Sequence, residues 1–220
     1  MIKSIKLMLI FMSIASISLF ALSNEEKRVL SATATLNNML HLPESSMPHI
    51  LFRKAKAIAI IPSSYKIGFI LGGRYGEGVI CVKGDDGKWS NPVFLTLKGG
   101  SIGFQAGVQV ADIVLVFKSR KSIEGLINSR FTLGLDGSIA VGPLGREVGA
   151  NTDVSFRSEV YSYSISQGLF LGVSLSGAVL EIDKKANSRF YGHDATVTDI
   201  IRNYKVKVPA VVSKLKAKFN

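Results

Sequence analysis

The spacing of apolar residues along the chain changes period more than once. Over residues 25–40, EEKRVLSATATLNNML, the residues Val29, Ala32, Leu36, Met39 and Leu40 recur on one face at helical spacing. Glu25 and Glu26 stand where the positive end of a helix dipole favours acid. Pro43 ends this helix. A second, short helix is expected from near Pro48, capped by Ser45 or Ser46 and carrying Ile50, Leu51 and Phe52. Arg53, Lys54 and Lys56 fall near its C-terminal end, which favours cations.

The period then drops to two. AIAII (57–61) predicts a strand ended by Pro62-Ser63-Ser64, and 67–71 and 77–83 predict two more. GGRYGEG (72–78) reads as a glycine-bearing bend between those two, with Arg74 exposed on it. Asp85-Asp86-Gly87 supplies a tight turn, and PVFLTL (92–97) follows as a strand. In SIGFQAGVQV (101–110), Ile102, Phe104, Ala106, Val108 and Val110 alternate with polar residues and glycine, as on one strand. Further strands are expected at 112–117, 130–135, 138–142, 158–165, 169–175 and 178–182, and helices at 121–129, 194–203 and 208–219. The sum is an α+β fold. A strongly curved antiparallel sheet or barrel-like β core has N- and C-terminal helices packed on it, because repeated glycines in strands admit bulges and curvature.

The first 23 residues, MIKSIKLMLIFMSIASISLFALS, follow neither pattern. Two lysines, an apolar run and a small-x-small end have the anatomy of a secretory signal, and a membrane anchor is the alternative. The run from Leu7 to Leu22 is shorter than the roughly 20 apolar residues a span needs. The expected organisation is therefore a signal peptide at 1–23 and a single domain at 24–220, exported to the periplasm, membrane-associated or secreted. Beyond residue 23, 25 basic residues face 16 acidic ones, a net charge of +9. Such a balance suits an anionic lipid or membrane surface, or an acidic protein, and export argues against nucleic acid.

Candidate chemistry is sparse. GGRYGEG lacks the lysine of a Walker loop, and a strand rather than a helix follows it, so both phosphate-loop readings fail on context. His41, His49 and His193 lack metal-ligand spacing, and Cys81 in VICV reads as a buried small hydrophobe. GVSLSG (172–177) has serine where a nucleophile elbow needs its second glycine, and its period of two places Ser174 and Ser176 on a strand. Asp85-Asp86-Gly87 lacks the later acidic ligands of a calcium loop. No catalytic residue, metal site or cofactor is assigned. The C-terminus is richer. Val208, Val211, Val212, Leu215 and Phe219 form an apolar stripe, and Lys205, Lys207, Lys214, Lys216 and Lys218 surround it. This helix either docks its stripe on the core or lies in an anionic membrane interface.

The stretches FRKAKAIAIIPSSYKIGFILGGRYGEGVI (52–80), WSNP (89–92), LKGGSIGFQAGVQVADIVLVF (97–117), FTLGLDGSIAVGPLGRE (131–147), EVYSYSISQGLFLGVSLSGAVLEID (159–183) and FYG (190–192) together resemble the SYLF domain family. The resemblance spans nearly all of the chain after residue 23. It implies a lipid-binding module without enzymatic activity. Its eukaryotic relatives bind phosphoinositides, its yeast relatives also bind and bundle actin, and its bacterial relatives are exported single-domain proteins. The segment corresponding to the family's amphipathic helix is 25–40. The leading expectation is thus a non-catalytic, peripheral lipid-binding protein of the bacterial envelope. Arg53, Lys54, Lys56, Lys66, Arg74, Lys214, Lys216 and Lys218 would contact anionic head groups, and Leu215 and Phe219 would insert. The alternative is a protein-interaction scaffold that binds an envelope partner or, in a host, actin.

Overall fold

A computed structural model describes residues 22–41, 49–68, 71–102, 107–128, 130–142, 158–167, 169–170, 173–203 and 206–219. Helix α1 (Asn24–His41) and the short α2 (His49–Lys54) precede four long strands: β1 (Ala57–Gly68), β2 (Leu71–Val82), β3 (Val93–Ile102) and β4 (Gly107–Phe117). Then come α3 (Arg120–Asn128) and the short strands β5 (Arg130–Thr132), β6 (Ile139–Val141), β7 (Val160–Ser166), β8 (Leu169–Phe170) and β9 (Val179–Ile182). Three helices close the chain: α4 (Lys184–Tyr191), α5 (Val197–Arg202) and α6 (Val211–Lys216). A 3-10 turn at Ala217–Phe219 continues α6. The strands form one curled sheet in the order β5-β9-β3-β2-β1-β4-β7-β6, with β8 beside β7. Its pairs are antiparallel except β6 with β7. The α+β expectation of a curved sheet with helices at both ends describes this half-barrel.

Register explains how the sheet acquires two different faces. Glu77 and Asp112 reach α1, through Arg28 and Thr35, so alternation turns Val79, Cys81, Val114 and Val116 to that outer face. Ile60 and Ile58 sit opposite Val79 and Cys81 and join them. The buried stripe Val29, Ala32, Leu36 and Met39 of α1 covers this layer, as its spacing predicts. The inner face carries Ala57, Ala59, Leu115 and Phe117 and is closed by α3 and β5, with the rings of Phe117 and Phe131 6.0 Å apart.

The central strands depart from the sequence expectation in an instructive way. Pro62 does not end β1. Ile61 pairs with Ile113 and Ser64 with Ala111, so β1 carries one extra residue and continues to Gly68. A bulge tolerates proline because no ladder N–H is required there. Ser63 takes a φ of 48°, and its N–H donates to Asp112 Oδ1 at 2.8 Å. The bulge also changes the parity of β1, so Tyr65 and Ile67 follow Ile58 and Ile60 on the outer face. GGRYGEG is likewise no bend, since all of it lies inside β2. Its glycines admit the bulge. A Cβ on Gly76 would stand 2.5 Å from Ile61 Cγ2, and one on Gly78 would stand 2.1 Å from the Ile60 carbonyl oxygen.

Residues 101–110 are not one strand either. β3 ends at Ile102, β4 starts at Gly107, and β2 and β1 lie between them in the sheet; Phe104 and Ala106 fall outside the described residues. The strand expected at 130–135 stops at Thr132, where the Asp136 carboxylate accepts the Thr132 N–H at 2.6 Å. Ser174 and Ser176 lie in a loop and a turn rather than on a strand. α4 was not expected. Its N-cap is Asp183, whose side chain accepts the Ala186 N–H at 2.9 Å.

Candidate interaction surfaces

The sheet has a basic end and an apolar end. At the basic end Lys83, Lys56 and Lys118 follow one another at the ends of the adjacent strands β2, β1 and β4. Lys56 N–H donates to the Phe117 carbonyl, and Lys83 N–H donates to the Lys56 carbonyl. Arg53 and Lys54 are exposed at the C-terminus of α2 just before them. Lys83 Nζ lies 5.7 Å from the centre of the Trp89 ring and donates to the Arg53 carbonyl at 3.2 Å. Desolvation, and secondarily the charge of Lys54, holds the Lys118 ammonium below its ordinary pKa. Among the described residues no ion pair engages Arg53, Lys54 or Lys56.

The other end of the outer face is bare and apolar. Tyr65 pairs with Tyr75 on one side and Val110 on the other, and Ile67 pairs with Val108. These five side chains share one face, and Tyr65 is 50% exposed, Ile67 60% and Val108 65%. Helix α1 runs along the edge of this patch. Asn24, Lys27 and Glu77 border it in a cleft of about 290 Å³ with Tyr65 and Tyr75. Asn38, His41, Val108, Val110 and Leu169 line a wider hollow of about 980 Å³ at the other end of α1. Tyr75 donates its hydroxyl to Glu77 at 2.8 Å, and burial with that hydrogen bond raises its pKa. Sequence reasoning missed this surface, because alternating apolar residues in a strand read as core.

The residues proposed from sequence for lipid contact do not form one surface. Lys66 lies ten positions beyond Lys56 on β1, roughly 30 Å along an extended strand. Lys66 and Arg74 are paired across β1 and β2 on the inner face, away from the outer basic end. Arg74 is not exposed but buried, at 8% accessibility, and desolvation lowers its pKa. Leu215 and Phe219 are buried as well. The Phe219 ring stacks on Trp89 at 4.4 Å and on Phe52 at 6.0 Å, and Lys218 Nζ donates to Asn37 Oδ1 at 2.6 Å. The C-terminal stripe therefore docks on the protein's own core from Val211 onward, while Val208, which precedes the helix, and Lys214 remain exposed and Lys216 is half-buried.

Comparison with known proteins places the chain in a family. The chain belongs to the Ysc84 family, since residues 98–220 match the family model described as Las17-binding protein actin regulator. It is 34% identical over 201 residues to Protein YSC84 of Saccharomyces cerevisiae, covering 90% of this chain and 42% of that protein. It is 31% identical over 200 residues to LAS seventeen-binding protein 3 of the same yeast, covering 89% and 43%. SH3 domain-containing YSC84-like protein 1 of Rattus norvegicus is 35% identical over 160 residues, covering 72% and 47%. The chain thus spans less than half the length of each of these relatives. These findings correct the expected localisation. Relatives from yeast and a mammal, in a family described by actin regulation, do not support export to a bacterial periplasm. The apolar run that suggested it falls, up to Ala21, outside the described residues.

Proposed function

We propose that this chain is a non-catalytic interaction module that binds a protein of the actin machinery, actin itself or a Las17-class regulator. The observation that carries the reading is the bare outer face of Tyr65, Ile67, Tyr75, Val108 and Val110. It is an aromatic and aliphatic patch carried by the central strands β1, β2 and β4, the composition that anchors protein interfaces. The family description supplies the class of partner. The test is co-sedimentation with actin filaments and pull-down of purified Las17, comparing the parent chain with Tyr65→Ser/Ile67→Ser. Both side chains are already exposed, so the variant keeps the fold. Its affinity for the bound partner falls about tenfold or more, the loss expected of an interface anchor. Undiminished binding by the variant would remove this face from the interface.

A second reading rests on a different observation, the cations of Arg53, Lys54 and Lys56 that no described carboxylate neutralises. They suit an anionic membrane surface, each contributing about 1 kcal/mol at low salt. Lys214 extends the basic surface along α6. Insertion by Leu215 and Phe219 requires α6 to leave its aromatic socket first. Electrostatic contact by the docked protein requires no such step.

A further inference from the structure

Strand β4 has one edge that its neighbour covers only in part. On one side β1 pairs with it from Gly107 to Phe117. On the other side β7 pairs with it only over 112–117. Gln167 then takes a φ of 51°, and the chain turns back into β8, which pairs with β7 and not with β4. Residues 107–111 therefore meet no strand on that side among the described residues, and 107–110 are exposed. Alternation assigns the backbone groups of this edge. Lys118 N–H donates to the Glu159 carbonyl and Ser166 Oγ to the Val110 carbonyl, each at 2.8 Å. β4 keeps one register against β7, so its even-numbered residues turn N–H and C=O toward that side. Among the described residues, the Val110 carbonyl alone has a partner there; the Val110 N–H and both backbone groups of Val108 have none. The edge opens into the hollow of about 980 Å³ walled by Asn38 and His41 of α1 and by Leu169. Free edges are ordinarily blunted by charge, proline or a cover, and GVQVA (107–111) supplies neither charge nor proline.

We infer that this edge takes an extended, acidic segment of a partner protein as an added strand, in which aliphatic and polar residues alternate. Strand addition supplies the missing partners: backbone bonds give affinity, and alternate side chains give selectivity. Residues opposite Val108 and Val110 point to the outer face beside those valines, where aliphatic side chains pack. The residues between them point to the inner face beside Gln109, where polar ones suit. The net charge of +9 beyond residue 23 favours an acidic segment and opposes a second copy of the chain. In a two-fold pair each copy would also bring its own α1 and β8 against the other's. The inference rests on the protein-binding reading for the class of partner; the open edge itself does not.

The experiment titrates the full chain with the peptide acetyl-Glu-Val-Thr-Val-Thr-Val-Glu-amide, read by calorimetry. Two further peptides carry N-methyl groups, one on its valines and the other on its threonines. The side chains are the same, but each methylated peptide has lost the N–H donors of one edge. In an antiparallel ladder the valines exchange bonds with Val108 and Val110, so valine methylation abolishes binding and threonine methylation leaves it within about threefold. A parallel strand reverses the two results and supports the inference equally. Val110→Pro removes one N–H from the open edge and keeps the ladder to β1, which runs through odd-numbered residues of β4. It weakens the peptide about tenfold. Tyr65→Ser/Ile67→Ser leaves peptide affinity within about threefold, since β1 lies on the far side of β4. A parent chain that binds the peptide but neither actin nor Las17 keeps the edge and loses the partner class. Equal affinity for the two methylated peptides, or no binding of the parent peptide, would overturn the inference. So would a dimer in sedimentation that Val110→Pro abolishes, because the occupant would then be a second copy.

Discussion

Asn187 shows how one side chain can complete a sheet. At Phe94, strand β3 has passed the end of its partner β9, whose pairing begins one residue later, at Leu95. Asn187 of α4 takes the missing place. Its Oδ1 accepts the Phe94 N–H at 2.9 Å, and its Nδ2 donates to the carbonyls of Phe94 at 3.0 Å and Asp183 at 2.9 Å. Asn187→Ala leaves a buried N–H without a partner and is expected to cost about 2–3 kcal/mol in urea unfolding. Asn187→Asp keeps the acceptor but sets a carboxylate against two carbonyl oxygens, and is expected to cost no less. None of this is legible in KKANSRFY, which has no apolar stripe. Only the Asp183 cap announces the helix, and the partner of Asn187 lies 93 positions away. Arg74 is opaque for a similar reason. Its neighbour Lys66 is fixed by strand register, which the bulge at Ser63 shifts by one residue.

Elements whose partners follow from local spacing were legible. Of the five positions on the expected stripe of α1, four are buried and Leu40 is half-buried, and the C-terminal stripe predicted docking as one of its two outcomes. Strand limits were not, because Pro62 and the GGRYGEG glycines punctuate a sequence without ending a strand that has a bulge. The docking of α6 can be measured through Cys81. This thiol lies on the outer face among the terminal helices, with Lys216 of α6 and Tyr191 of α4 as ionisable neighbours. Burial pushes its pKa up to about 12. At pH 8 the thiolate fraction is on the order of one in ten thousand, and a thiol reagent also finds no access. Phe219→Ala empties the socket between Trp89 and Phe52 and is expected to cost about 3 kcal/mol. It frees α6 and restores Cys81 toward an ordinary thiol, so labelling at pH 8 accelerates and rises further with pH. Unchanged labelling in Phe219→Ala would mean that α6 stays docked without its ring.

At the scale of the whole molecule, charge and apolar surface are divided between opposite ends of one sheet. This division decides which contact dominates. A partner held by the apolar face loses little affinity when salt rises, since burial of Tyr65 and Ile67 is not screened. A surface drawn to Arg53, Lys54 and Lys56 is released by salt, because exposed charges separated by more than a Debye length of about 8 Å cease to interact at physiological ionic strength. Lys54→Glu/Lys56→Glu inverts the field at that end by four charges without touching a buried side chain. On the proposed division it abolishes salt-sensitive co-sedimentation with anionic vesicles and leaves protein capture by the outer face within a factor of about two. Tyr65→Ser/Ile67→Ser does the reverse. The two ends are roughly 30 Å apart along β1, so the effects of the two double variants on stability should add. If both variants weaken the same binding equally, a single large partner spans the sheet from end to end. Vesicle and protein binding would then compete. The cycle of the parent chain, the two double variants and their combination, read by vesicle co-sedimentation and by actin pull-down at low and high salt, separates these cases. It does so because each substitution sits on exposed surface and the core beneath α1 is left intact.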